Sequence, residues 1–238
     1  MKRVIYIMIF MLLSMTILRY QSTETLHYTV EASLDNIDVI EDEKTVVKPK
    51  KLESITIVED IKPHYVQGVI IVNKGYGLPS NYAPGENANA RAAFNKMQSD
   101  AKLEGITLHA FSTYRSYDRQ RMIYSNYVSK YGQARADKFS ARPGHSEHQT
   151  GLAFDIGGAD TTVWLSQKFG KSPEGKWLVE NAHKYGFVLR YPQGKEHITG
   201  YMYEPWHFRY VGVEWSTKIV ESGLTLDEYF GVVSPSYK

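Results

Sequence analysis

Apolar residues fall into short runs with different periods, and each period predicts an element. Ala88 to Glu104 repeats at helical spacing: Phe94, Met97 and Ala101 share a face, and Gly105 supplies the stop. Tyr117 to Tyr131 is a second helix, with Ile123, Tyr124, Tyr127 and Tyr131 on one side and Gly132 after it. Its tyrosine stripe is expected to contact the core. Ile106, Leu108 and Ala110 alternate with Thr107, His109 and Phe111, which predicts a strand. Val66 and Val69 to Val72 suggest one short strand or a buried extended entry. Further strands are expected at Leu152 to Ile156, Phe187 to Tyr191 and Trp206 to Val211. Ser172-Pro173-Glu174 opens a helix with an N-cap, a first-turn Pro and an acid, and Gly186 ends it. A C-terminal helix starts near Val213, and Thr225-Leu226-Asp227-Glu228 reads as a capping box. Helices first, then strands mixed with helices, predict a single compact α+β domain with a mainly antiparallel sheet.

The N-terminal part has a different texture. Lys2 and Arg3 precede an apolar run from Val4 to Leu18, broken only by Ser14 and Thr16. That is a signal-like or anchoring segment, expected over 1–19, with the body exported. No small-residue cleavage site follows it. Residues 20–62 include the charged run Glu41 to Lys51 and read as a solvated linker. The catalytic domain is expected over 63–238. Any membrane contact is expected through the N-terminal segment alone.

Composition excludes several chemistries. Cysteine is absent, so thiolate zinc sites, disulfides, a thiol nucleophile and a lipoprotein anchor are all ruled out. Twenty-eight basic residues against 26 acidic ones leave a net charge of +2, which is not a nucleic-acid footprint. A monomer is expected.

Two segments carry the candidate chemistry: Ser146 to Asp155, and Glu204-Pro205-Trp206-His207. They offer two imidazoles, one carboxylate at a fixed offset, and a second carboxylate three residues before the later His. Catalytic zinc is held by three protein ligands with a fourth position left for water, and a nearby carboxylate serves as base. His148, Asp155 and His207 read as the ligands and Glu204 as the base. His148 and Asp155 are an odd number of residues apart, which a flat strand would place on opposite faces. Gly151 therefore marks a turn, with His148 on a loop and Asp155 on the strand beyond. Pro205 offers the same break between Glu204 and His207. Neither spacing is the helical HExxH arrangement.

These segments resemble the signature of the zinc D,D- and L,D-carboxypeptidases of peptidoglycan, the family that includes the vancomycin-resistance carboxypeptidases. Ser146, His148, Gly151, Ala153 and Asp155 match S-x-H-x-x-G-x-A-x-D, and Glu204, Trp206 and His207 match E-x-W-H. Upstream, Ser112-Thr113-Tyr114-Arg115-Ser116 with Gln120 resembles the family's S-x-Y-R-S-x-x-x-Q. The resemblance implies a fold shared with Hedgehog signalling domains. It implies a zinc cofactor, and removal of a C-terminal D-alanine from a peptidoglycan stem peptide. It also carries over Arg115, Gln120 and Ser146 as substrate-contacting positions. Arg115 is nominated besides as the cation facing the oxyanion, since a guanidinium is always charged and offers paired donors. Ser146 is a candidate for holding the peptide's free carboxylate.

Each residue has a plainer reading. Arg115 alone would be a surface ion-pair residue, Ser146 a loop or cap residue, and Gln120 a solvated helix side chain. Trp206 reads as a packing residue on the pocket wall, and His145 as a local neighbour of His148. The same machinery would also serve a D,D-dipeptidase or an L-Ala–D-Glu endopeptidase. From another class, a non-catalytic zinc-stabilised wall-binding module would need the ligands but not Glu204 or Arg115.

Overall fold

The structure is a computed structural model, and it describes residues 61–237. The expected leader and all but the last two residues of the expected linker lie outside these residues. No helix among the described residues is long and apolar enough to cross a membrane.

The chain enters through a hairpin. Strand β1 (His64–Val66) pairs antiparallel with β2 (Val69–Ile71). Gln67 and Gly68 both take positive φ, at 49° and 82°, which suits the tight turns that match strand twist. The expected single strand is therefore two, because Gly68 makes the reversal cheap. Strand β2 is buried along its whole length. Val69 and Ile71 join one apolar cluster, and Ile70 and Val72 join another.

Helix α1 (Ala88–Leu103) starts where the Asn87 side chain accepts a bond from the Ala90 amide. Ala90, Phe94, Met97 and Ala101 form its buried face. Strand β3 (His109–Ser112) begins three residues later than the alternation predicts. The Ile106 amide closes the end of α1 on Ala101, and Gln98 takes the Leu108 carbonyl. Residues 106–108 thus serve the helix end before a ladder can form.

Helix α2 (Tyr117–Tyr131) is capped by Ser116, and the short α3 (Gln133–Ala136) follows it. Strand β4 (Ala153–Gly157) comes next, then α4 (Pro173–Asn181), capped by Ser172 as the sequence predicts. Strand β5 (Phe187–Leu189) follows, then α5 (Glu196–Thr199), β6 (His207–Tyr210) and α6 (Val213–Ser222). Helix α7 (Leu226–Tyr229) carries the expected capping box between Thr225 and Glu228.

Strands β3, β4, β6 and β5 form one antiparallel sheet in that order. The α+β expectation holds. Phe154, Phe187 and Phe208 from the sheet pack with the buried face of α1 and with Leu178 of α4. Each such aromatic contributes about 1.5–3 kcal/mol by leaving water.

One expected core contact is different. Gln120 is the buried residue of α2, and the tyrosines are only partly covered or exposed. The Tyr124 hydroxyl bonds Asp137 at 2.6 Å. Tyr127 and Tyr131 share the edge of Phe139 and line an open cleft. The periodicity identifies the face correctly, but that face borders the site described next.

Candidate active site

Two adjacent strands and one turn assemble the site. Asp155 on β4 and His207 on β6 are direct cross-strand partners, so their side chains share a face. His148 sits in a 3-10 turn, Glu147–Thr150, closed by Gly151 at φ 70°. A Cβ on Gly151 would lie 2.0 Å from the Gly85 carbonyl oxygen, so both conformation and space demand glycine. This is the turn the odd spacing requires. Glu204 precedes β6 in a loop held by its amide bond to the Tyr191 carbonyl.

One ligand atom from each of His148, Asp155 and His207 lies within 4.8 Å of the others, and all three residues are buried. Nε2 of His148 is 3.2 Å from Asp155 Oδ2, and Nδ1 of His207 is 3.3 Å from Asp155 Oδ1. Glu204 Oε2 stands 3.7 Å from the same Nδ1. Nδ1 of His148 is 2.6 Å from the Thr113 carbonyl. A carbonyl can only accept, so Nδ1 carries the proton and the Nε2 lone pair faces Asp155.

The donor set suits a zinc ion, which takes imidazole nitrogen and carboxylate oxygen. Asp155 Oδ1 is buried without a hydrogen bond; its contact with His207 is proximity alone. An orphaned carboxylate oxygen between two imidazoles is what a bound cation would satisfy. The electrostatics agree. Burial opposes a charge on His207, yet the Asp155 and Glu147 carboxylates beside it raise its pKa to about 9. A field that favours a proton there favours a metal cation in its place. Burial lowers the pKa of His148, against the pull of Asp155. Burial also pushes the Glu204 carboxyl up to about 8, against the pull of His207.

Arg115 reaches the site from the loop after β3. It donates to Gln120 Oε1 at 2.8 Å and Ser112 Oγ at 3.0 Å, and lies 3.6 Å from Asp155 Oδ2. Gln120 is not solvated. It is 1% exposed and donates to the Ala141 carbonyl at 2.6 Å while holding Arg115. Ser146 is buried on the cleft lining, and Trp206 forms part of the wall. His145 turns away, with Nδ1 2.8 Å from the Asn73 carbonyl and its ring edge-on to Tyr237.

Sequence reasoning misses the charges beneath His207. Glu147 is fully buried, with Oε2 3.2 Å from His207 Nε2. Its Oε1 accepts from Arg190 at 2.7 Å and Arg209 at 2.9 Å. Burial would raise the Glu147 carboxyl, but the two guanidiniums hold it well below the usual range. The available signal was an arginine inside each of two apolar strand segments, Val188 to Tyr191 and Phe208 to Val211.

The cleft over the site encloses about 570 Å³. It runs from His207 and Glu204 past Arg115 to Tyr127, Tyr131 and Arg135.

The chain is similar in sequence and fold to known proteins. The family model described as D-alanyl-D-alanine carboxypeptidase, VanY, matches residues 85–213. A D-alanyl-D-alanine carboxypeptidase of Enterococcus faecium is 40% identical over 158 residues, covering 65% of this chain and 46% of that protein. The chain spans less than two thirds of the length of the curated relatives it matches. The crystal structure of the L,D-carboxypeptidase DacB from Streptococcus pneumoniae is 43% identical, with a TM-score of 0.63, covering 71% of this chain and 90% of that one. A vancomycin-resistance D,D-pentapeptidase, VanY, solved with Zn(II), is 34% identical with a TM-score of 0.59, covering 67% and 97%. With a matched segment that contains all three motifs, the chain belongs to the VanY family of D-alanyl-D-alanine carboxypeptidases.

Proposed function

We propose that this chain is a zinc-dependent carboxypeptidase that removes the terminal D-alanine from peptidoglycan stem peptides at the cell wall. The observation that carries it is the buried His148–Asp155–His207 cluster with Glu204 standing beside it, not within it. Zinc held by His148, Asp155 and His207 would supply a Lewis acid and lower the pKa of water from 15.7 to about 7. Glu204 takes the proton as water attacks the peptide carbonyl, and then delivers it to the leaving amine. Arg115, held in place by Gln120 and Ser112, presents a guanidinium to the developing oxyanion or to the substrate carboxylate. Ser146 and Gln120 complete the substrate-facing wall around it. A wall-binding module would have no use for a buried carboxyl poised in this way.

The 43% identity to an L,D-carboxypeptidase, against 40% and 34% for the two D-alanyl-D-alanine enzymes, favours tetrapeptide stems. The test is mass spectrometry of tetrapeptide and pentapeptide muropeptides incubated with the chain, with and without chelator. Loss of one alanine from the tetrapeptide, blocked by chelator, is expected. Loss only from the pentapeptide would make the enzyme D,D-specific. No loss from either stem would overturn the carboxypeptidase reading.

An exopeptidase of this kind leaves one residue beyond the scissile bond, so the part of the cleft lined by α2 receives the amino side of the stem. Along α2, Gln120 to Tyr131 spans about 16 Å at the helical rise. That is the length of about five extended residues. Tyr131→Ala is accordingly expected to raise KM about 2- to 10-fold, the worth of one aromatic contact, with kcat little changed. Steady-state kinetics on the preferred muropeptide check this. An unchanged KM would remove Tyr131 from the substrate path.

A further inference from the structure

Glu147 lies in the first motif but at a position the motif leaves open. Its side chain is closed off from solvent, although the residue borders the cleft. Oε1 is taken by two guanidiniums, and Oε2 faces Nε2 of His207. A carboxylate so placed only accepts, so Nε2 of His207 donates, and Nδ1, facing the cluster, is where a metal would take a proton's place. His148 is set up the opposite way, with Nδ1 donating to a backbone carbonyl. The two histidines therefore offer different ring nitrogens, and each proton is held by a different kind of partner.

The arginines beneath Glu147 extend the chain of contacts. Arg190 also grips Asp227 through both terminal nitrogens, at 2.5 and 3.0 Å. Asp227 accepts from the Asn73 amide at 2.8 Å. Arg209 donates to the Ile70 carbonyl at 2.6 Å. Arg190, Arg209 and Asp227 are each at most 1% exposed. Two acids and two guanidiniums balance, but burying four charges gains little stability over an apolar core of the same volume. What such a core could not do is hold a proton on one chosen nitrogen of His207.

We propose that Glu147 is the positioning residue of the metal centre, and that Asp227, acting through Arg190, is its support. Glu147 keeps the His207 proton on Nε2, aims Nδ1 at the metal, and makes the imidazole a stronger donor than a carbonyl partner would. Asp227 and Asn73 lie outside residues 85–213, so metal affinity depends on a C-terminal turn and an entry loop that no motif names.

The inference rests on the zinc reading above, and direct metal binding separates the two. Zinc dissociation constants would be measured on the full chain by competition with a chromophoric chelator. Wild type, Glu147→Gln and Asp227→Asn would be compared, with the thermal midpoint of each metal-free protein. Glu147→Gln is expected to weaken zinc by about 10- to 100-fold, the usual effect of losing a ligand's hydrogen-bonded support, and Asp227→Asn by less. A lowered midpoint with wild-type zinc affinity would make Glu147 merely structural and overturn the proposal. If Glu147→Gln does not fold, nitrogen-15 NMR of the zinc-loaded wild type decides. A His207 proton on Nε2 supports the proposal, and one on Nδ1 overturns it. A wild type that binds no zinc would instead sink the zinc reading.

Discussion

Glu204→Ala is expected to retain zinc and lose about 10²–10⁴-fold in kcat, the range for removing a positioned general base. Three acids lie at the site, and two have other tasks. Asp155 is committed to the two imidazoles, and Glu147 to His207 and two guanidiniums. Glu204 alone is left to receive a proton, and it is 7% exposed. Its carboxyl is raised to about 8, chiefly by burial. An acid whose pKa is higher folded than unfolded costs stability once the pH exceeds its unfolded value near 4.5. Removing Glu204 therefore should not lower the thermal midpoint at neutral pH. Equal zinc content, an equal or higher midpoint and collapsed turnover are the expected set. Near-wild-type turnover would falsify the base assignment.

His207→Ala is expected to abolish zinc binding and turnover together. The substitution removes one of the three proposed ligands and also strips Glu147 Oε2 and Asp155 Oδ1 of their buried neighbour. Any ligand that binds only the folded state stabilises it, by about 4 kcal/mol at a thousandfold excess over Kd. For a domain of this size that corresponds to a midpoint shift on the order of 10 °C. A chelator should lower the wild-type midpoint by about that much and leave His207→Ala unmoved. A variant that still binds zinc tightly would mean that His207 is not a ligand.

The two substitutions separate chemistry from construction. Glu204 sits in a loop, so its loss is expected to leave the sheet and the His148–Asp155–His207 cluster intact. His207 begins β6 and touches Asp155 and Glu147 at once, so its loss is felt through the register of β4 and β6. The tilted ring of Tyr191, 4.8 Å from that of His207, is a further contact that the variant gives up.

The chain's local chemistry was enough to place its longer helices, although α4 ends at Asn181 and a 3-10 turn carries the chain on to Tyr185 before the expected stop at Gly186. Asn87, Ser116, Ser172 and Thr225 each cap a helix through their own side chains, and such caps act over three residues. The need for a turn between His148 and Asp155 followed from strand geometry, and Gly151 supplies it. The cluster of His148, Asp155 and His207 was equally legible, because the residue types required for zinc stand at motif spacing. What lay beyond reach depends on partners distant in the chain. The tyrosine stripe of α2 has helical period whether it meets a core or a cleft, and only packing decides which. Gln120 looks solvated until the Ala141 carbonyl and Arg115 close over it. The strand at β3 starts late because Gln98 claims the Leu108 carbonyl. The support beneath His207 joins residues separated by 43 positions between Glu147 and Arg190, by 37 between Arg190 and Asp227, and by 154 between Asn73 and Asp227. Periodicity and capping are properties of neighbours; which buried charges meet is settled only when β2, β5, β6 and α7 converge on one point.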